Sequence, residues 1–142
     1  MSAQSYKNHS RYVPLYHFVT LAIILALLIG SIVNLCHSAP ENKYSASLIL
    51  VITIVLALLW AFLRSFPLKV QDRAIRAEEN LRHFILTGNP LNSALTMSQI
   101  IALRFASDEE FPALAQKAAA ENLDAKSIKE AIKNWRADHH RA

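Results

Sequence analysis

Two long apolar runs occupy the first half of the chain. No Asp, Glu, Lys or Arg occurs between Tyr12 and Pro40 or between Tyr44 and Leu63. A helix needs roughly 20 apolar residues to cross the hydrocarbon core of a bilayer, and residues 17–36 and 45–63 each supply about that length. The short segment 37–44 between them is rich in turn-forming residues. The pattern therefore predicts a transmembrane hairpin over residues 17–66 with a short external turn.

The distribution of basic residues predicts the orientation of this hairpin. The first run exceeds the 7–15 apolar residues of a signal peptide, so we expect a retained helix. Lys7 and Arg11 precede it, whereas in the turn Lys43 is offset by Glu41. The stretch after the second run carries five more basic residues: Arg64, Lys69, Arg73, Arg76 and Arg82. Because positive charge stays on the cytoplasmic side, residues 1–16 and the C-terminal part should both be cytoplasmic.

The second half, residues 67–142, predicts a small helical module. Pro67 suits the first turn of a helix, and Gly88 with Pro90 ends it. Between them, apolar residues recur at alternating steps of four and three and form one stripe: Val70, Ala74, Ala77, Leu81 and Phe84. Thr96 and Gln99 have the spacing of a capping box, which predicts a second helix from Thr96.

Two further helices complete a predicted bundle of about four. The third begins near Ser107 or Asp108, with Pro112 in its first turn, and the fourth is capped by Asp124 after a left-handed stop at Asn122. The apolar face of the third helix comprises Phe111, Leu114, Ala115 and Ala118, and that of the fourth comprises Ile128, Ala131, Ile132 and Trp135. We expect Trp135 to pack against the third helix. The predicted fold class is all-α.

Several short segments resemble a known family. They are Tyr6–Tyr12, Leu81–Phe84 with Leu86–Gly88, and the more specific run Ala102–Glu110, with the sequence ALRFASDEE. They resemble a family of small, uncharacterised two-span bacterial membrane proteins, and the likeness covers almost the whole chain. The resemblance implies a bacterial inner-membrane location and carries no activity, cofactor or catalytic residue.

Small residues recur in both apolar runs and predict how the helices associate. Close approach at small side chains and interhelical hydrogen bonds drive helix association in lipid. The small and polar residues recur every four positions, which places them on one face of each helix. They are Ala22, Ala26, Gly30 and Asn34 in the first run, and Thr53, Ala57 and Ala61 in the second. We expect these faces to meet within the hairpin or between copies of the chain.

Two charged clusters are candidate interaction sites. Lys69, Arg73 and Arg76 follow the second run, where they would contact lipid headgroups. Arg104 precedes three acidic residues, Asp108, Glu109 and Glu110. This second cluster has two interpretations, helix capping with a surface ion pair or a docking surface on which Arg104 anchors an acidic partner.

Composition and residue spacing argue against several classes of function but do not identify one. The chain is 53% hydrophobic and 18% charged, with six histidines and one cysteine, Cys36. No spacing is typical of a catalytic centre, a metal site or a cofactor site, and the basic residues alternate with acidic ones, which argues against nucleic acid. No small-molecule substrate is indicated. The leading hypothesis is a non-enzymatic scaffold or accessory subunit, acting as a homo-oligomer or within a membrane complex. The alternatives are an accessory subunit of a redox or haem- or metal-containing membrane complex, and an oligomeric pore.

Overall fold

The computed structural model describes residues 12–138, and this part of the chain is entirely helical apart from turns and short connections. Its five α-helices are α1 (Leu21–His37), α2 (Lys43–Thr87), α3 (Met97–Leu103), α4 (Phe111–Glu121) and α5 (Ala125–Ala131). A π-helical turn over Leu15–Thr20 leads into α1, and a 3-10 turn over Pro40–Asn42 leads into α2. The predicted all-α class is confirmed.

The second apolar run and the amphipathic segment after it form a single helix. The sequence predicts two elements separated near Pro67, but α2 continues through this proline. Pro67 lacks the N–H that would bond the carbonyl four residues earlier, which weakens a helix without always ending it. The chain divides into two compact units, and the boundary lies between Phe66 and Pro67. Each unit therefore contains one part of α2.

In the first unit, α1 and the first part of α2 run antiparallel. The Tyr16 hydroxyl donates a hydrogen bond to the Trp60 carbonyl, and the Trp60 indole N–H donates to the Tyr16 carbonyl at 3.2 Å. The two rings stack with centroids 5.3 Å apart. Since Ser38 and Ala39 have extended backbone and the 3-10 turn follows directly, the connection is shorter than the predicted turn.

A seven-residue repeat runs through the buried positions of this unit. Ile24 and Ser31 of α1 are buried, and so are Ala46 and Thr53 of α2. Half-buried residues lie three or four positions from them: Leu21, Leu28 and Leu35 in α1, and Leu50 and Ala57 in α2. Trp60, also half-buried, lies seven positions after Thr53. A seven-residue repeat is typical of helices that pack along their length. The packing face therefore combines leucines with a few small polar residues.

In the second unit, α3, α4 and α5 surround one apolar core. Its fully buried side chains include Leu103, Phe105, Phe111 and Ile128. Helix α3 contacts both α4 and α5. The second part of α2 contributes Ile75 to this core. Most of the core therefore comes from residues after Leu95.

Four predicted helix ends are confirmed, but the third predicted helix begins at Phe111 rather than near Ser107 or Asp108, because residues 108–110 form a turn. Gly88 has φ of 73°, which a glycine adopts at no steric cost, and its N–H bonds the Phe84 carbonyl at 2.8 Å. Thr96 and Gln99 form the complete capping box. Asn122 is left-handed at the end of α4, and the Asp124 carboxylate accepts from the Ser127 N–H at 2.7 Å. These local signals can be predicted because each depends only on residues a few positions apart.

The second part of α2 turns its apolar stripe outward. We call Val70, Ala74, Ala77, Leu81 and Phe84 the outer stripe. All five are exposed, Val70 by 68% and Leu81 by 59%. The opposite side of the helix, with Ile75 and Glu79, is buried against the rest of the unit. An amphipathic helix ordinarily buries its apolar face, and here charged groups hold the helix in the reverse orientation.

The structure corrects the predicted environment of Trp135. Helix α5 ends at Ala131, because Ile132 has extended backbone, so Trp135 lies beyond the helix. It pairs with Ala106 in an isolated backbone bridge. Its ring centre lies 4.9 Å from that of Phe105, and the side chain packs against the core cluster that includes Phe111 and Ala118 of α4. Ala131, predicted to share the buried face, is exposed.

Candidate functional site

The densest cluster of charges surrounds Arg82, on the buried side of α2. Its Nη1 donates to Glu79 at 2.9 Å, its Nε to Asp108 at 2.7 Å, and its Nη2 to the Ala106 carbonyl at 2.7 Å. The guanidinium carbon lies 4.4 Å from the centre of the Phe111 ring. Charge-assisted hydrogen bonds of this kind fix geometry as well as adding energy. Arg82 therefore joins α2 to the segment between α3 and α4.

Glu79 lies between two arginines. Its side chain is almost fully buried, one oxygen accepts from Arg82, and the other lies 3.8 Å from Nη1 of Arg136. The Arg136 backbone N–H in turn bonds the Phe105 carbonyl at 2.8 Å. Because a buried carboxylate is costly unless it is paired and hydrogen-bonded, these contacts explain how Glu79 is tolerated. Glu79 thus connects α2 to the segment after α5.

Arg104 is in the interior, which corrects its predicted docking role. It is 6% exposed, its Nε lies 3.2 Å from the Asp138 carboxylate, and its guanidinium lies 4.6 Å from the centre of the Phe105 ring. It does not pair with Asp108, which binds Arg82. Since α3 ends at Leu103 and the chain then turns, the i,i+4 geometry assumed from the sequence is absent. Arg104 is a structural residue.

The three acidic residues of this cluster separate into different roles. Asp108 is exposed and binds Arg82. Glu110 accepts hydrogen bonds from the backbone N–H groups of Lys133 and Asn134, at 3.1 and 3.2 Å, and from the Asn134 side chain. Glu109 is exposed on the surface. Asp108 therefore binds α2, Glu110 binds the segment after α5, and Glu109 remains outside these contacts.

A polar cavity of about 320 Å³ lies beside this network. It is lined in part by Gln71, Glu78, Arg104, Arg136 and Asp138. The Gln71 side-chain oxygen is buried there without a hydrogen-bond partner. The carboxylates of Glu79 and Asp138 are each paired with arginine. The arrangement is that of a structural ion-pair network.

The predicted headgroup residues lie on the exposed side of α2. Lys69, Arg73 and Arg76 are all exposed. Arg73 and Arg76 border an open cleft of about 410 Å³, together with Asn80 and the loop Leu91–Ser93. The cleft combines two cations with amide groups above apolar residues. Contact with lipid stays a prediction.

The small residues of the first apolar run do not form the packing face within the first unit. Ala22, Ala26, Gly30 and Asn34 are exposed, and a Cβ added at Gly30 would meet no atom within 4 Å. In α2, Thr53 is buried and Ala57 half-buried, but Ala61 is exposed. A four-residue step drifts round a helix, whereas the observed seven-residue repeat follows one side of it. The predicted contact within the hairpin is wrong for the first run, and contact between copies stays a prediction.

The histidines of residues 12–138 contact nearby backbone groups. Nδ1 of His17 lies 3.0 Å from the Val13 carbonyl, Nδ1 of His37 lies 2.9 Å from the Val33 carbonyl, and Nδ1 of His83 lies 2.8 Å from the Asn89 carbonyl. Within the described range, no three residues of His, Cys, Asp or Glu are grouped so as to hold a metal ion. His9, His139 and His140 lie outside the described residues, as do Lys7 and Arg11.

Sequence reasoning missed the central residues of the network, Glu79, Arg82, Arg136 and Asp138. Glu78 and Arg82 have the i,i+4 spacing of an ion pair on one helix, whereas the structure pairs Arg82 with Glu79. A signal was present, because Glu79 and Arg82 lie on the side of α2 opposite the outer stripe. Their partners are more than 20 residues away in sequence, and no local pattern identifies them.

The architecture defines a class of protein: an all-helical chain with two helices, Leu15–His37 and Pro40–Thr87, that are long and apolar enough to cross a membrane. The chain belongs to the family of unknown function DUF6526, which matches it over residues 1–142. The predicted resemblance to an uncharacterised family is thereby confirmed. No curated protein and no solved structure matches the chain.

Proposed function

We propose that this protein is a non-enzymatic, membrane-anchored scaffold or accessory subunit. In this proposal α1 and the first part of α2 form a two-span anchor in a bacterial inner membrane. The second unit is a small helical module that faces the cytoplasm and binds other proteins or other copies of the chain. Both termini are cytoplasmic.

The observation that carries the proposal is the apolar surface of the first unit. Large apolar side chains are exposed all along both helices, for example Ile23, Ile29, Ile52 and Leu59. In water, an exposed apolar surface of this extent would drive aggregation. Facing lipid, the same side chains are in their favoured solvent. The Tyr16–Trp60 pair is composed of the two residue types that are enriched where a membrane meets water.

The chemistry of the second unit supports a binding role rather than a catalytic one. Glu79, Arg82 and Arg104 are buried, but each is paired with another charged group of the same unit. Catalytic groups are ordinarily directed into a cavity and kept free for the reaction. Here the charges join α2 to α3, α4 and the C-terminal segment. The surface that remains available is the outer stripe, together with the basic side of α2.

Membrane anchoring can be tested by fractionation of cells that produce the full chain. We expect the protein to stay with membranes after alkaline carbonate treatment. Two lysines near the centre of each span should release it, because each lysine costs about 3 kcal/mol there; the substitutions are Leu25→Lys, Ile29→Lys, Ile52→Lys and Val55→Lys. As a control, Ala113→Lys with Ala120→Lys adds lysines to exposed positions of α4 and should leave the chain in membranes. Recovery of the unmodified chain in the soluble fraction would overturn the anchor.

The scaffold role requires a second measurement. Gentle detergent extraction, followed by sizing and mass spectrometry, should yield the chain as an oligomer or together with a reproducible partner protein. The Ala113→Lys, Ala120→Lys variant should behave in the same way. A chain that is extracted alone and monomeric at every detergent concentration would contradict the scaffold role while leaving the anchor intact.

A further inference from the structure

The outer stripe has the pattern of a helix-packing seam, and no segment of residues 12–138 covers it. Its residues are exposed in the second part of α2, and Ile85 beside them is 73% exposed. The successive steps from Val70 to Phe84 are four, three, four and three residues. This is the spacing of the core positions a and d of a coiled coil. A second helix laid along the stripe would bury all five residues.

The charges beside the seam identify the occupant. If Val70 and Ala77 are d positions and Ala74 is an a position, Arg73 is a g position and Glu78 is the following e position. In a parallel pair of identical helices, g on one helix meets the e of the next heptad on the other. Arg73 of one copy would then contact Glu78 of the second copy, and the reverse pair would form as well. In an antiparallel pair, g positions face g positions instead, so Arg73 would not meet Glu78.

Neither charge has an ion-pair partner in the described part of its own chain. Arg73 and Glu78 are both exposed, and the neighbouring carboxylate, Glu79, is the one used by Arg82 and Arg136. Five residues apart on one helix, Arg73 and Glu78 do not face each other, since helix neighbours are three or four residues apart. Both side chains are therefore available to a second copy.

We propose that a second copy of this chain occupies the outer stripe, with the two α2 helices parallel and with reciprocal Arg73–Glu78 ion pairs at its edges. This inference rests on the proposed membrane anchor, which places both copies in the same orientation and confines them to one plane. The exposed apolar residues supply the affinity. The two ion pairs select the parallel alignment and the register.

Charge exchange between copies tests this arrangement directly. Two differently tagged full-length chains are co-produced, and co-purification is measured. Arg73→Glu alone places two pairs of glutamates in contact, and Glu78→Arg alone places two pairs of arginines in contact, so each variant should self-associate about tenfold less than the parent. A mixture of the two variants restores both attractive pairs and should associate almost as well as the parent.

A matched control separates this contact from a general effect of charge. Arg76→Glu makes the same change on the same helix at an exposed position that lies off the seam. It should leave self-association nearly unchanged, and it should pair with Glu78→Arg no better than the parent chain does. If Arg73→Glu and Glu78→Arg each self-associate as strongly as they associate together, the proposed alignment is wrong.

Cross-linking locates the seam independently. In a Cys36→Ser background, Ala77→Cys should form a disulfide-linked dimer when isolated membranes are treated with copper phenanthroline and air as the oxidant, whereas Ala120→Cys on the surface of α4 should not. The rival occupant is the bilayer surface. A spin label at residue 77 that contacts oxygen dissolved in lipid and shows no coupling to a second label would establish that rival and overturn the proposal. The same samples are also fractionated. A chain that leaves the membrane fraction shows that the anchor is lost, whereas a chain that stays in membranes without cross-linking shows that the seam is wrong.

Discussion

The Arg82 guanidinium engages all three of its nitrogen atoms and also lies over an aromatic ring. Arg82 connects segments that are distant in sequence, because Asp108 and the Ala106 carbonyl are more than 20 residues away. A charge placed in this way is costly to disturb, because its removal leaves other buried polar groups without partners.

We therefore expect Arg82→Ala to destabilise the second unit by about 3–5 kcal/mol, the usual consequence of leaving a buried charge unpaired. Glu79 would then keep only the longer contact with Arg136, so adding Glu79→Gln should recover part of the loss. Lys117→Ala removes an exposed i,i+4 pair with Glu121 and should cost less than about 1 kcal/mol. Urea unfolding of the detergent-solubilised chain, followed by circular dichroism, measures all three. Equal effects of Arg82→Ala and Lys117→Ala would contradict the structural role of Arg82.

Asp124 gives a pH dependence of known sign. Hydrogen bonds from the Ser127 hydroxyl and backbone N–H lower the pKa of the Asp124 carboxyl below its ordinary value of 3.8. A group whose pKa is lower in the folded state stabilises the fold above its unfolded pKa and loses that contribution as the pH falls through the folded pKa. The parent chain should therefore be more stable than Asp124→Asn at pH 7, and this difference should disappear on acidification below 3.8. A difference that is independent of pH would show that the charge on Asp124 contributes nothing.

At the scale of elements, the Gln99 side chain at the start of α3 also contacts the segment that follows α4. The Gln99 oxygen accepts from the Thr96 N–H at 2.7 Å, and its amide nitrogen donates to the Leu123 carbonyl at 2.8 Å. Gln99 is buried, so one side chain satisfies a backbone group at the start of α3 and another just beyond the end of α4.

This double contact predicts unequal effects of two substitutions. Thr96→Ala removes a cap and should cost about 1 kcal/mol. Gln99→Ala should cost about 2–3 kcal/mol, because it leaves buried backbone groups of both segments without partners. Ser98→Ala changes an exposed neighbour in the same turn and serves as the control. Chemical denaturation of the three variants is the measurement, and a larger effect of Thr96→Ala than of Gln99→Ala would contradict the contact with Leu123.

Helix ends and helix faces differ in how far the sequence predicts them. The positions of Gly88, the capping box and Asn122 were predictable because a few adjacent residues determine the backbone there. The direction in which α2 faces was not, because it depends on Arg82 and Glu79 meeting partners from other segments. In the first unit, Gly30 and its small neighbours suggested a packing face, whereas the larger side chains of Ile24, Leu28 and Leu35 supply it.

For the whole molecule, the charge distribution predicts a topology that remains to be measured. Reporter fusions at residues 5 and 142 should be cytoplasmic, and one at residue 41 should be external. The reason is that basic residues precede the first span and follow the second, and positive charge stays on the cytoplasmic side. Cys36 is exposed near the end of α1 and provides a check on the unmodified chain, since a maleimide that cannot cross membranes should label it in intact cells. An external reporter at residue 142 would contradict the predicted orientation.

The contacts that hold the second part of α2 to the rest of the second unit are sensitive to ionic strength. Its apolar contribution to the core is Ile75, and the remaining ties include ion pairs whose outer partners, Asp108 and Arg136, are exposed. Raising the salt concentration from 0.15 to 1 M shortens the screening length from about 8 to 3 Å and weakens such pairs. Amide hydrogens of residues 76–86 should therefore exchange faster in concentrated sodium chloride, while those of α4, anchored by Phe111 and Ala118, should not. The helix that would join two copies is thus attached to its own module by the contacts that dissolved ions weaken most.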